Sequence, residues 1–324
     1  GGLEQIVFDL ADCLGQLGND VYALCPDGSK PTERFKVITP VAPSLGNPEA
    51  QAYEAIKPSL ADFDILHSHG WGGYPYLYKR EHPQAHVLQT LHGPMHFTSK
   101  PVEKPCFVAA SHAHAKFLKN QLDFECRVVH HGIPLEKYSY QGKKGDYLLY
   151  LARVSEEKGA LEFVRLCKAT GMKGMLVGPD DSVADPIAYP RMVMEACSAT
   201  NGLVQYYGPA GNNEEKVELL QNARCLVSPL KAPYIEIFGM ALVEAMACGT
   251  PVLATDQGAP RELVVHGITG AIARDFTCLE EGLKIALECE PAACRKRAEE
   301  FSREKMATNY LDLYRRMIEE GLEW

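Results

Sequence analysis

The 324-residue chain exceeds one ordinary domain and can bury a large core, so two domains are expected. A formal charge of −9 disfavours a protein that coats nucleic acid or anionic lipid by bulk charge. The eleven cysteines are scattered, with no C-x-x-C pair and no zinc spacing, and no apolar run is long enough to span a bilayer, so a soluble cytoplasmic protein is expected.

Gly1-Gly2-Leu3-Glu4 reads as a glycine loop running into an amphipathic helix, with Ile6, Leu10, Cys13, Leu14 and Leu17 on one face and Gly18 as its stop. Strand patterns follow at 21–25, 35–38, 65–68, 87–91, 106–110 and 127–129, with helical stretches near 49–57, 73–80 and 111–121. Alternating strands and helices imply a parallel sheet, whose ligands sit beyond the carboxyl ends of the strands. The residues just after each strand therefore carry the interest. His67 and His69 close one strand, and His92 closes the next. The H-x-H spacing suits metal ligation, but no third ligand follows at useful spacing, so no metal is expected. The polar loops 70–76 and 93–101 lie at the same edge. Trp71, Tyr74 and His96, with His69, are candidates to meet an acceptor, packing of the domain edge being the alternative.

The run 139–145, with its QGKKG, is linker-like. Residues 146–159 then read as a strand, a short turn and a helix start. Arg153 and Lys158 stand at that turn, where fixed charge can neutralise a pyrophosphate in place of Mg²⁺. A further strand ends in the turn at Gly178, and 203–210 reads as a strand and loop containing Tyr207.

The stretch 228–263 is the most informative. Its centre, Glu236-Ile237-Phe238-Gly239-Met240-Ala241-Leu242-Val243-Glu244, has two carboxylates flanking a glycine and a helix start. Gly239 permits close backbone approach, and the free N–H groups of the first helical turn make an anion site. Gly249 and Pro251 stop the helix, and 252–254 reads as a buried strand. Eight helical positions span at most about 12 Å, so the two glutamates can address opposite ends of a nucleotide sugar. Alternatively, Glu244 is a solvated helix position and Glu236 a loop charge favoured by the helix dipole. Helical patterns at 277–288, 291–300 and 303–319 close the chain, the last with the apolar seam Met306, Tyr310, Leu313, Tyr314 and Met317.

E-x7-E with an internal F-G, followed by A-x-G-x-P-V and then G-x-x-x-E, resembles the donor site of retaining GT-B glycosyltransferases of family 4 (glycosyltransferase group 1 domain). Residues 152–159 resemble the family's G-R-x4-K-G element, with Ala152 in the glycine's place, and 128–138 resemble its exit from the first domain, with His131 where asparagine commonly precedes the glycine. The resemblance implies an α/β GT-B fold: two Rossmann-like doubly wound domains facing each other across a cleft. An acceptor-side domain over 1–138, a donor domain over 139–302, and a last helix packing back on the first domain are expected. The family's Gly-Gly loop follows a first strand, which is missing here, and this sequence is expected to begin inside the natural chain.

The resemblance further implies that Glu236, His92, Arg153 and Lys158 are catalytic, and that Gly2, Glu244, Phe238, Gly239, Met240, Ala241, Gly178 and Tyr207 bind the donor. The implied reaction is metal-independent and cofactor-free transfer of a hexose, with retention, from a UDP- or GDP-sugar, UDP being preferred, to an acceptor hydroxyl. The alternatives are a nucleotide-sugar-binding protein without transferase activity, or another GT-B enzyme such as an epimerase. Nucleic acid is not an expected partner. Peripheral membrane contact is left open, with Lys79, Arg80, Lys116 and Lys119 as its nearest candidates, and oligomeric state is not read.

Overall fold

Every strand pairing among the described residues is parallel, as expected of strands joined through crossover helices. The structure, a computed structural model, describes residues 2–25, 29, 31–39, 48–93, 106–180 and 188–324. Two units emerge, Gly1–Gly132 with Arg303–Trp324, and Ile133–Ser302.

The first unit runs α1 (Gly2–Gln16), β1 (Val21–Leu24), β2 (Phe35–Ile38), α2 (Pro48–Ile56), β3 (Leu66–Ser68), α3 (Tyr74–Glu81), β4 (Val87–Thr90), β5 (Phe107–Ala109), α4 (His112–Leu122) and β6 (Cys126–Val128). β3-β4-β5-β6 form one sheet, and β1 and β2 pair as a second. β4 and β5 are buried along their whole length, so the polar side chains of β4 need partners inside the protein. Gln89 Nε2 donates to Gly70 O at 2.8 Å, which ties the end of β4 to the loop after β3. In α1 the buried stripe includes Asp9 and Asp12, whereas Leu17, expected on that face, lies past the helix end and is 49% exposed.

The second unit runs β7 (Tyr147–Leu151), α5 (Ala160–Thr170), β8 (Lys173–Val177), α6 (Ala188–Ser198), β9 (Val204–Gly208), α7 (Asn213–Asn222), β10 (Ala223–Ser228), α8 (Met240–Ala247), β11 (Val252–Thr255), α9 (Pro260–Leu263), β12 (Gly270–Ala273), α10 (Leu279–Leu287) and α11 (Pro291–Ala298). Its sheet has the order β12-β11-β10-β7-β8-β9. The chain starts at β7, steps outward to β9, and returns to the other side of β7 at β10. Strand order therefore reverses between β7 and β10, the place where open α/β sheets bind ligands. Leu148, Tyr150, Leu176, Val227 and Leu253 from the sheet pack with Phe163, Val193 and Leu283 from the helices as one core.

The last helix, α12 (Arg303–Glu320), belongs to the first unit and buries the expected seam of Met306, Tyr310, Leu313, Tyr314 and Met317. At its start Arg303 reaches Asp9 at 3.4 Å and Asp12 at 3.6 Å, which explains the carboxylates on the buried face of α1. The division falls between Gly132 and Ile133, ahead of the expected 138/139. The cause is that Ile133 N–H donates to Phe301 O at 3.0 Å and the Tyr138 hydroxyl bonds inside the second unit. No helix of the described residues is long and apolar enough to cross a membrane.

Candidate functional site

At the reversal point of the second unit, two loops are stitched together. Gly159, at the N-cap of α5, has φ 72°, and a Cβ there would fall 1.8 Å from Pro229 O. Only glycine lets the turn after β7 close on the exit of β10. Lys231 N–H donates to Glu157 O at 3.0 Å across the same seam. The result is that Lys158 meets the residues before α8: its Nζ lies 2.6 Å from Glu236 Oε2 and 2.7 Å from the Tyr234 hydroxyl. Burial opposes the Lys158 charge, but the Glu236 carboxylate and Tyr234 outweigh it and hold the ammonium above its usual pKa.

Glu236 is fixed through its backbone as well. Its N–H donates to Gln257 O at 3.0 Å, and its carbonyl accepts from Ala259 N–H at 2.9 Å. Gly258 permits this approach, since a Cβ there would stand 2.4 Å from Glu236 O. The G-x-x-x-E segment thus braces Glu236, and the Ala259 amide is used in doing so.

Gly239 is the left-handed N-cap of α8, with φ 96°. Among the described residues the N–H groups of Met240 and Ala241 have no backbone partner, while Leu242 N–H turns back to Gly239 O at 3.0 Å. Two amide donors at the start of α8 are thus left without a backbone acceptor, and Ala241 lines a cavity of about 20 Å³ with Ala152, Lys158 and Ser228 beside the ends of β7 and β10. Further along α8, Glu244 is 7% exposed. Its Oε1 accepts from the Tyr138 hydroxyl at 2.7 Å and from Lys216 Nζ at 2.9 Å, leaving Oε2 without a hydrogen bond among the described residues. Cations, amide donors and two oriented carboxylates along one sheet edge suit an anionic ligand with hydroxyl groups at both ends.

The first unit carries a different group of side chains. His67 lies in β3 and His69 just beyond it, and the period of two puts both on one face, with ring centroids 4.0 Å apart. His67 is taken up by Tyr314, whose hydroxyl is 2.6 Å from Nδ1, and by Thr90, whose Oγ1 is 2.7 Å from Nε2 and 2.7 Å from the Tyr310 hydroxyl. It anchors α12 to the sheet. His69 Nδ1 lies 2.8 Å from His92 Nε2, and the His92 ring stacks on His131 at 5.1 Å. Desolvation, followed by the proximity of other histidines, lowers the pKa of His67 to about 3 and that of His92 to about 4, and puts His69 and His131 well below the usual range. His114, buried and bonded at Nε2 to Gly93 O, is lowered to about 4. The cluster is neutral at pH 7. Among the described residues no three histidine, cysteine or carboxylate side chains are disposed to hold a metal ion.

Residues 137–305 match the family model described as "Glycosyl transferases group 1", and residues 1–137 match "Glycosyltransferase Family 4". The chain belongs to the glycosyl transferases group 1 family. It is similar in structure to AviGT4, a glycosyltransferase involved in avilamycin A biosynthesis, with a TM-score of 0.74 and 25% identity over 100% of this chain and 92% of that one. Anabaena Alr3699/HepE, solved with UDP and glucose, shares the fold with a TM-score of 0.72 at 17% identity, covering 97% and 95% of the two chains. In sequence the chain is 43% identical over 51 residues to sucrose synthase 5 of Oryza sativa subsp. japonica, a match spanning 16% of this chain and only 6% of that protein. The fold is therefore that of the GT-B glycosyltransferases.

Within this group 1 family member the predicted residues separate by what the structure gives them to do. Glu236, Lys158, Gly239, Met240 and Ala241 come together, and Arg153 follows β7 with its side chain 46% exposed. Phe238, expected to touch the donor, is instead a core residue, 1% exposed with its ring edge-on to Phe301 at 5.9 Å. Gly178 packs against the end of β7, where a Cβ would meet Ala152 O at 1.8 Å, and Tyr207 sits on the edge strand β9 bonded to Glu215. Gly2 begins α1.

On the acceptor side, Tyr74 is given to packing, its ring stacked on Tyr53 at 5.8 Å. Trp71 is 60% exposed on a loop held by Glu49, which accepts from Trp71 N–H at 2.8 Å and Gly72 N–H at 2.5 Å. His96 lies outside the described residues. Of the basic residues considered for a membrane face, Lys79 bonds Ala85 O and Glu323, and Lys119 pairs with Glu125, so half of that charge is neutralised. The sequence reading misses Tyr138, Lys216 and Tyr234 as site residues. Tyr234, two positions before Glu236, had a signal in that proximity, whereas Lys216 sits on α7, a helix the periodicity did not mark.

Proposed function

We propose that this protein is a family 4 retaining hexosyltransferase that moves a hexose from a nucleoside diphosphate sugar to an acceptor hydroxyl. The observation that carries the reading is the Lys158–Glu236 pair beside the free amides of Met240 and Ala241, at the point where strand order reverses. In this reading the diphosphate rests on the α8 amides and on Arg153 and Lys158, which stabilise its charge as the bond to the sugar breaks. Glu236, with Oε2 held by Lys158, offers Oε1 to a sugar hydroxyl. Glu244, with Oε1 occupied, offers Oε2 to a ribose hydroxyl. His92 is proposed as a further catalytic residue.

Fixed cations and amides do the work that Mg²⁺ does elsewhere, so metal and cofactor are not required. The leaving phosphate takes the acceptor's proton, which accounts for retention without a second carboxylate. Uridine is the proposed base, in keeping with the fold neighbour solved with UDP and glucose. Trp71, exposed beside Gly93, is proposed to meet the acceptor. The test is incubation with UDP-glucose, UDP-N-acetylglucosamine and GDP-mannose in EDTA, with the anomeric configuration of the product followed by proton NMR. Turnover of one donor with its α configuration kept is the expected result. An inverted product, or turnover that needs a divalent ion, overturns the reading.

A further inference from the structure

The His69–His92 contact has a consequence for tautomers. With Nδ1 of one ring 2.8 Å from Nε2 of the other, one nitrogen carries the proton and the other accepts it. The choice cannot be made freely at each ring. A neutral His92 has a single N–H. If it points at His69, Nδ1 of His92 is a bare lone pair, useless to an oxygen that is gaining negative charge. If His69 donates from Nδ1–H instead, His92 Nε2 accepts and its Nδ1–H is left as a donor.

The surroundings favour a device of this kind. His67, the other histidine of the H-x-H pair, is unavailable to His92, because Tyr314 and Thr90 occupy both of its nitrogens. His114 is likewise turned to Gly93 O and Ala110 N. His131 lies face to face with His92, with planes 18° apart, a stacking contact that leaves the ring edge of His92 to other groups. Among the described residues His69 is therefore the group that settles the orientation of His92, and burial keeps both rings neutral near pH 7.

We propose that His69 is a positioning residue that donates from Nδ1–H to Nε2 of His92, so that His92 acts in the transfer reaction through its Nδ1–H. The proposal rests on the transferase reading for its purpose, but its chemistry is measurable without a substrate. In protein labelled with ¹⁵N-histidine, two-bond nitrogen–proton correlations should show His92 as the Nδ1–H tautomer and His69 likewise. His69→Phe should release His92 from that state. His69→Asn, whose amide N–H can occupy the place of Nδ1–H, should retain it. In kinetics with the donor that is turned over, His69→Phe should lower kcat by about tenfold to a hundredfold with little change in donor KM, and His69→Asn should recover most of the loss.

An Nε2–H tautomer for His92 in the native protein overturns the proposal, as does a His69→Phe variant with native kcat. If no nucleotide sugar is turned over, the transferase reading fails by itself, and the tautomer measurement still decides the His69 assignment. A His69→Phe variant that does not fold leaves the native tautomer and the His69→Asn variant to give the answer.

Discussion

The two units bring polar side chains together in opposite ways. In the second, Lys158 and Glu236 are partly buried and in direct contact, with the Lys158 ammonium held above its usual pKa, and Lys216 and Glu244 also lie in contact. In the first, His67, His69, His92, His114 and His131 gather with tyrosine and threonine hydroxyls, and desolvation makes them neutral. A charged partner makes it affordable to keep a charge away from water, and where none is present the group gives up its proton. The second arrangement suits the binding of an anion by fixed charge. The first suits directional hydrogen bonding by neutral rings.

The largest test of this contrast removes charge from the second unit alone. Glu236→Ala should lower kcat by about 10² to 10³, the scale of a lost transition-state contact, while the acid sensitivity of the first unit stays as it was. Native turnover in steady-state kinetics would end the assignment of Glu236. A smaller effect separates the two carboxylates. Stabilisation by UDP at 100 times its Kd should be about 2.7 kcal/mol in the native protein and should vanish in Glu244→Ala, measured by thermal shift with EDTA present. An unchanged shift would place the ribose elsewhere.

The third test belongs to the histidines. Their folded pKa values lie below the unfolded value near 6.5, so between that pH and about 4 the unfolded chain binds more protons than the fold. Stability present at pH 7 should thus be lost as pH falls through this window. Amide hydrogen exchange should show β3–β6 opening before β7–β12. Equal acid sensitivity in both sheets would remove the distinction.

Much of the fold was readable where punctuation and period coincide. The strands ending just before His69, His92 and Arg153 stand between clear turns, and the α12 seam repeats over several turns, so these elements could be placed from pattern. α7 and β10 could not. Asn222 ends one and Ala223 begins the other with no glycine or proline between them, and NEEKVELLQN has too few apolar residues to mark a face. β12, GAIA, is made of small residues with little strand preference. α6 carries a proline inside its first turn, which reads as a break although that position tolerates it. With β10 unread, the reversal of strand order beside β7 was out of reach.

For the site, the sequence alone determined which residues are candidates for the chemistry and where the backbone must turn. Gly239, the E-x7-E spacing and the basic pair after β7 are local features, and local sterics and helix geometry act on neighbours in the chain. The tertiary structure decided the partners. Lys158 is committed to Glu236, Glu244 is held by Tyr138 and Lys216, Phe238 is core, and His69 rather than His67 faces His92. Each of these pairings joins residues far apart in the chain. Which of several chemically suitable groups becomes a partner is set by strand order and packing, and no period or motif along the sequence encodes that choice.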